Sequence, residues 1–226
     1  MADHEVKARR LVRVLTRRAV PPILVALASP RLRRADVLLP LAALTAWTAA
    51  ELLVEDDAAN AAAAANSEDA GSRYAVLGTH LTAWWVPVVL GWRSRGPTPS
   101  VALGVGSILA GGGLRVLAVH TLGARFTGHV RVMAEQPVCT SGPYAYVRHP
   151  AYSGLFGLNV GPAISCGSPF GSLVMAAATA ASTFVRVRIE ERALSSRLGA
   201  AYDVYARRTP RFVPAIRRAR TPGAVS

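Results

Sequence analysis

A chain of 226 residues accommodates one domain or a small helical bundle with tails. Its 51% hydrophobic content, gathered into blocks, excludes a disordered chain and is high for a soluble one. The formal charge of +13 comes from 26 Lys and Arg, but no nucleic-acid-binding motif accompanies it, and the arginines cluster at the ends of apolar blocks, where membrane proteins keep them against anionic headgroups.

Residues 1–34 carry Lys7, Arg9, Arg10, Arg13, Arg17, Arg18, Arg31, Arg33 and Arg34, interleaved with Leu11, Val12, Val14 and Leu15. This pattern predicts a basic amphipathic helix on a membrane surface. Ala19 to Ser29 is apolar but short and contains Pro21-Pro22, so it is not counted as a span. Asp3, Glu5 and the lack of a clean apolar core argue against a cleaved signal. The first span is predicted at Val37 to Val54, interrupted by Glu51, and an acidic, Ala- and Asn-rich loop follows at 55–73. Tyr74 to Trp92 is the second span, anchored by Trp84, Trp85 and Trp92, and a tight basic turn follows at 93–97. Pro99 to Leu122 is the third, with Arg115 towards its end. Its Gly104-Val105-Gly106 and Gly111-Gly112-Gly113 lack the preceding strand and following acidic residue of a dinucleotide loop. They read instead as small residues that let two membrane helices approach.

The segment Cys139 to Gly154 then packs three tyrosines, Arg148, His149, two prolines and two glycines into a stretch too polar to span. Pro143 and Pro150 fix φ and bias Gly142 and His149 towards extended geometry, so a rigid connector that aims polar side chains is expected. An ordinary basic interfacial loop with tyrosines at headgroup level is the alternative. Tyr152 to Cys166 and Pro169 to Val185, joined by Gly167-Ser168, form an apolar helical hairpin. Cys139 and Cys166 form neither a metal-ligand spacing nor a disulfide framework. Five spans put the two basic ends of the chain on opposite faces, unless the N-terminal segment dips in and returns.

The expected fold is an all-α polytopic membrane helix bundle with about five transmembrane helices, a C-terminal helical hairpin and a membrane-edge catalytic region. Residues 1–34 form the basic N-terminal segment, 35–122 three spans with their acidic loop, and 123–226 the core that carries the polar motifs.

A second polar constellation, Arg186-Val187-Arg188-Ile189-Glu190-Glu191, leaves the last apolar helix. Arg186 and Glu190 share a helix face at i,i+4, as an ordinary salt bridge or a snorkelling pair would. A carboxylate at this depth is costly unless paired, which raises the prior for a functional site.

Taken in order, these residues resemble a known family: Leu122-Gly123, Phe126-Thr127, Ser141-Gly142-Pro143-Tyr144, Arg148-His149-Pro150-Ala151-Tyr152, Gly154, the hairpin, Glu190-Glu191-Arg192-Ala193-Leu194, Leu198-Gly199, Tyr202, Tyr205 and Thr209-Pro210-Arg211-Phe212-Val213-Pro214. Roughly residues 122–214 resemble the isoprenylcysteine carboxyl methyltransferases, integral membrane enzymes that use S-adenosylmethionine. The resemblance implies Val138, Cys139, Tyr144, His149, Pro150, Ala151, Tyr152 and Glu190 as cofactor-binding residues and Arg186 as the substrate-contacting arginine, with Arg186 and Glu190 the catalytic pair. His129 falls near another family contact, and Gln136 stands where the family usually has a histidine. Aromatic faces suit a sulfonium through cation–π attraction, and a guanidinium fork suits a carboxylate acceptor.

Carboxyl O-methylation of an isoprenylcysteine-type or other lipid-like acid is therefore the leading expectation. Membrane lipids are the other expected partners, nucleic acid is not one, and the active site is expected on the cytoplasmic face. A phospholipid or amine N-methyltransferase and a nicotinamide-dependent membrane reductase share an Arg-His-Pro-type motif and remain alternatives. A non-catalytic scaffold leaves the coincident motifs unexplained. Glu190-Glu191 followed by Leu-Gly-x-x-Tyr favours the methyltransferases.

Overall fold

In lipid every backbone donor and acceptor must be satisfied within the chain, so apolar membrane-length runs fold as helices. The computed structural model describes residues 2–55, 71–92, 97–126 and 137–214, without the side chains of the first six residues. It contains α1 (Ala2–Arg18), α2 (Val20–Ala28), α3 (Ala35–Val54), α4 (Ser72–Gly91), α5 (Thr98–Leu122), α6 (Pro150–Ser165), α7 (Pro169–Leu198) and α8 (Ala200–Arg208), with no strand among the described residues. The tight basic turn expected at 93–97 and the loop expected at 55–73 lie mostly outside the described residues, as do His129, Gln136 and the tail beyond Pro214.

The expected all-α polytopic membrane bundle is what forms. Helices α3, α4, α5 and α7 are long and apolar enough to cross a membrane. Leu39, Leu53, Leu103, Leu109, Phe170 and Leu173 on these helices remain exposed, as side chains facing lipid tails do. The fourth predicted span, α6, has 16 residues, under the roughly 20 a perpendicular crossing needs. It is packed between α5 and α7, and Leu155, Leu158 and Asn159 are buried. The last apolar run does not stop at Val185. Helix α7 continues unbroken to Leu198, so Arg186, Glu190 and Glu191 are held on the same rigid helix as the membrane span.

The helices alternate between two ends of the bundle. At one end Arg34 donates to the Gly91 carbonyl (3.3 Å), and the Cys166 thiol approaches the Asp36 carbonyl (3.6 Å). At the other, Arg10 pairs with Glu55 and Arg186 donates to the Ser72 hydroxyl (3.2 Å). Helix α1 therefore starts at the same end as the C-terminal part of α7, and α2 with the turn to Arg34 carries the chain to the opposite end. The odd number of expected spans is reconciled in this way: the N-terminal segment folds back beside α3 instead of remaining apart from the bundle.

The tightest seam joins α5 to α6. A methyl group added at Gly111 would overlap the Gly154 carbonyl, and one at Gly157 would overlap the Ser107 carbonyl. Gly106 and Gly113, in the same glycine-rich run, face open space. The small residues thus bring two helix backbones together, and only those on one face take part. A buried polar chain ties α4, α6 and α7 together: Trp84 Nε1 donates to His80 Nε2 (3.3 Å), His80 Nδ1 to Asn159 Oδ1 (2.9 Å), and Asn159 Nδ2 to Thr179 Oγ1 (3.2 Å). These directions require the neutral Nδ1–H tautomer of His80.

The two kinds of glycine make a direct comparison. Gly111→Ala forces two backbones apart and should destabilise the protein by about 1–3 kcal/mol. Gly113→Ala adds a methyl to open space on a helix and should be neutral or stabilise by up to about 1 kcal/mol. Thermal melting of both variants in detergent tests this, and equal melting temperatures would show that the α5–α6 seam is not close-packed.

Candidate active site

The motif segment is shaped by its glycines and prolines. Gly142 has φ +55°, a left-handed conformation that favours glycine, and its Cα faces the Thr121 side chain at the end of α5. Pro143 opens a 3-10 turn that buries Tyr144. Pro150 is the first residue of α6, where its missing N–H costs nothing, so His149 is held at the helix N-terminus.

A strap from the C-terminus fixes this loop. After α8 the chain turns back, and the backbone N–H groups of Arg148 and His149 donate to the carbonyls of Pro210 (2.8 Å) and Arg211 (3.0 Å). Ser153 Oγ donates to the Phe212 carbonyl (2.7 Å), and Tyr205 Oη to the Tyr144 carbonyl (2.7 Å). Burial pushes the Tyr205 phenol up to about 12 and raises those of Tyr144 and Tyr202, so all three keep their protons at neutral pH.

Glu191 locks loop, strap and helix together. Its carboxylate accepts from Arg148 Nη2 (3.1 Å), His149 Nε2 (3.2 Å) and Arg211 Nη2 (2.7 Å). Because a carboxylate ion only accepts, His149 Nε2 carries the proton and only Nδ1 remains for a ligand. The hydrogen bond to Glu191 is the main cause that raises the Arg211 pKa.

Glu190, one residue earlier on α7, has a different environment. It lines a cavity of about 470 Å³ and has no hydrogen-bond or ion-pair partner among the described residues. Arg186 is buried one turn away and also lines the cavity, donating through Nε to Tyr152 Oη (3.2 Å) and through Nη1 to Ser72. The i,i+4 salt bridge that the spacing allowed does not form.

Seven of the eight predicted cofactor-binding positions, Val138, Cys139, Tyr144, His149, Ala151, Tyr152 and Glu190, line this one cavity together with Arg186. Pro150 does not; it is buried as the first residue of α6.

Sequence reasoning had not joined Glu51 to Arg115. Arg115 grips the Glu51 carboxylate with two nitrogens (Nε and Nη2, each 2.8 Å) and reaches the Ala151 carbonyl with Nη1 (3.4 Å). This links α3, α5 and the first turn of α6 at the cavity wall. His80 and Arg18 also line the cavity without having been singled out. An ionisable residue inside an apolar span was the signal for Glu51, Arg115 and His80.

The sequence model of the isoprenylcysteine carboxyl methyltransferase family matches residues 102–196. Over those residues the chain is similar to that family. A protein-S-isoprenylcysteine O-methyltransferase B of Arabidopsis thaliana is 32% identical over 113 residues, 49% of this chain and 57% of that protein. A probable protein-S-isoprenylcysteine O-methyltransferase of Oryza sativa subsp. indica is 29% identical over 116 residues, 50% of this chain and 61% of the relative. The chain thus spans under two thirds of the length of these relatives. A solved structure of a eukaryotic intramembrane Ras methyltransferase, an isoprenylcysteine carboxyl methyltransferase, superposes with a TM-score of 0.56 at 21% identity, covering 93% of this chain and 76% of that one. That match establishes a common fold. The isoprenylcysteine carboxyl methyltransferase match contains most of α5, the motif segment, α6 and nearly all of α7, and leaves α1 to α4, α8 and the strap outside.

Adjacent glutamates with opposite surroundings predict opposite behaviour. Glu191→Gln leaves Arg148, His149 and Arg211 without their shared anion and should lower stability by about 2–4 kcal/mol. Glu190→Gln breaks no hydrogen bond or ion pair among the described residues and should leave the melting temperature nearly unchanged. Melting curves of the two purified variants decide it, and a larger loss for Glu190→Gln would reverse the assignment.

Proposed function

We propose that this protein transfers a methyl group from S-adenosylmethionine to the carboxylate of a lipid-like acid of the isoprenylcysteine type. One observation carries the reading: Glu190, without a hydrogen-bond or ion-pair partner among the described residues, and Arg186 face one cavity from the same helix, one turn apart. A carboxylate left in such a place is stabilised by a cationic ligand, and a buried guanidinium by an anionic one. The family match over residues 102–196 and the names of the relatives support the same reading.

The residues fit the methyl donor. Glu190 would face its cationic groups, and the Tyr144 and Tyr152 rings offer π faces to a sulfonium. His149 has Nδ1 free of the Glu191 contact, and Val138 and Cys139 supply an apolar edge. When bound, the donor supplies an electrophilic methyl group on a positively charged sulfur. The rest is positioning by the chain. An acceptor carboxylate is already ionised at neutral pH and requires no general base. Arg186, oriented by Tyr152 and Ser72, would align it, and the enclosing helices would exclude water. The arginines collected at this end of the bundle support a site on the cytoplasmic face by the positive-inside tendency. Lipid-facing helices around the cavity suit an acceptor that partitions into the membrane.

Two substitutions test the two halves of the site. Glu190→Gln should weaken S-adenosylmethionine binding about tenfold or more, since a charge-assisted hydrogen bond contributes about 1.5–3 kcal/mol. Arg186→Lys keeps the charge but loses the planar fork, and should lower turnover of a prenylcysteine acid about a hundredfold with little change in cofactor affinity. Calorimetry and methyl-transfer assays read these effects. Near-normal values in both variants would remove this pair from the site.

A further inference from the structure

Tyr152 carries a hydrogen-bond donor that no described residue accepts. Its Oη accepts from Arg186 Nε (3.2 Å), and a guanidinium can only donate, so the phenol proton is not used in that contact. A phenol with an ordinary pKa of about 10 keeps its proton at neutral pH. An O–H donor withdrawn from water without an acceptor costs free energy, and an oxygen brought in by a ligand removes that cost. Tyr152 is half-buried and lines the cavity, where such an oxygen can reach it.

The hydroxyl is held in place from several sides. Tyr152 is the third residue of α6, and its backbone N–H donates to the His149 carbonyl (3.1 Å). On either side of it, the Ala151 carbonyl accepts from Arg115 and the Ser153 hydroxyl donates to the Phe212 carbonyl of the strap. The Tyr152 ring packs against His149, with ring centroids 5.9 Å apart. A donor fixed in this way loses little freedom when a ligand arrives.

Tyr152 also sits where the two halves of the proposed site meet. Its hydroxyl touches Arg186, the cation on the acceptor side, and Glu190, the carboxylate on the donor side, acts on it electrostatically. The ring and the hydroxyl can therefore serve different ligands, the π face a sulfonium and the O–H an anion gathered by Arg186. With the phenol oxygen in contact with a guanidinium nitrogen, both groups lie close enough to reach one carboxylate, whose two oxygens accept about four hydrogen bonds.

We propose that the Tyr152 hydroxyl is a specificity-determining donor that binds the carboxylate of the acceptor together with Arg186, to which it is already bonded. This rests on the function proposed above and names a second contact to the head of the acid. The hydroxyl keeps its proton throughout, because an ionised carboxylate requires no base. The carboxylate loses its charge as the ester forms, so a donor to it is strongest in the ground state. Loss of the hydroxyl should therefore appear in KM more than in kcat, the opposite of Arg186.

The test uses the full chain in lipid nanodiscs, with N-acetyl-S-farnesylcysteine as the acid probe. Affinities for the acid and for S-adenosylmethionine, with KM and kcat, are measured for the native protein, Tyr152→Phe, Arg186→Lys and the double variant. Tyr152→Phe keeps the ring and loses only the hydroxyl. It should weaken the acid about tenfold and leave S-adenosylmethionine affinity and melting temperature unchanged, which also shows that the variant is folded. In the Arg186→Lys background the same change should again weaken the acid severalfold, because the hydroxyl makes its own contact. A loss that vanishes in that background would leave Tyr152 only a positioning residue for Arg186 and overturn the assignment. So would an unchanged acid affinity in Tyr152→Phe, a loss confined to S-adenosylmethionine, or no acid binding by the native protein. Acid binding that depends on the hydroxyl without any methyl transfer would instead sink the proposed function and leave the binding role standing.

Discussion

The site depends on one carboxylate. Glu191 lies where α7, the motif loop and the C-terminal strap converge, and its oxygens are shared among Arg148, His149 and Arg211. These three residues come from two segments about sixty positions apart, and neither segment could hold its shape alone. The loop has no strand or long helix of its own, and the strap passes its carbonyls to the loop's amides. Removing the shared anion would leave the guanidiniums of Arg148 and Arg211 facing one another in a half-buried setting, where like charges repel. Glu190, its neighbour on the same helix, has no hydrogen-bond or ion-pair partner among the described residues and faces the cavity.

A second group of charges sits deeper and addresses a different difficulty. Glu51 and Arg115 each belong to an apolar helix and each would be costly in lipid alone. Paired through two hydrogen bonds they become tolerable, and the remaining Arg115 nitrogen reaches the carbonyl of Ala151 in the motif. The pair therefore couples the packing of α3 against α5 to the position of the first turn of α6. His80, bonded at both ring nitrogens, ties α4 to α6 through a neutral contact.

The glycine seam sets how close these groups can come. With Gly111, Gly154 and Gly157 in backbone contact, α5 and α6 approach far more closely than helices lined by larger side chains. The end of α5 then meets the motif turn, where Thr121 packs against Gly142. A cavity enclosed by seven helices at one end of the bundle follows from that closeness and from the fold-back of α1.

Much of this was legible in the sequence. Apolar runs of membrane length specify helices because lipid leaves the backbone no other way to satisfy its hydrogen bonds, so the all-α membrane class was readable from composition and block length alone. The residue types around Arg148-His149-Pro150 and Glu190-Glu191 were legible as one constellation because their spacing is local and their chemistry unusual for an apolar chain. The pairing of Arg186 with Tyr152 and Ser72, in preference to Glu190, was not legible, since helical spacing permits an i,i+4 contact without requiring it. Nor were the Glu51–Arg115 bridge and the entry of Arg18 into the cavity, for these join helices far apart in the chain. Local sequence determines where helices form and which faces are polar. Which polar groups meet is decided only when the helices pack, because a charge in a dry bundle takes the partner that the packing brings within reach.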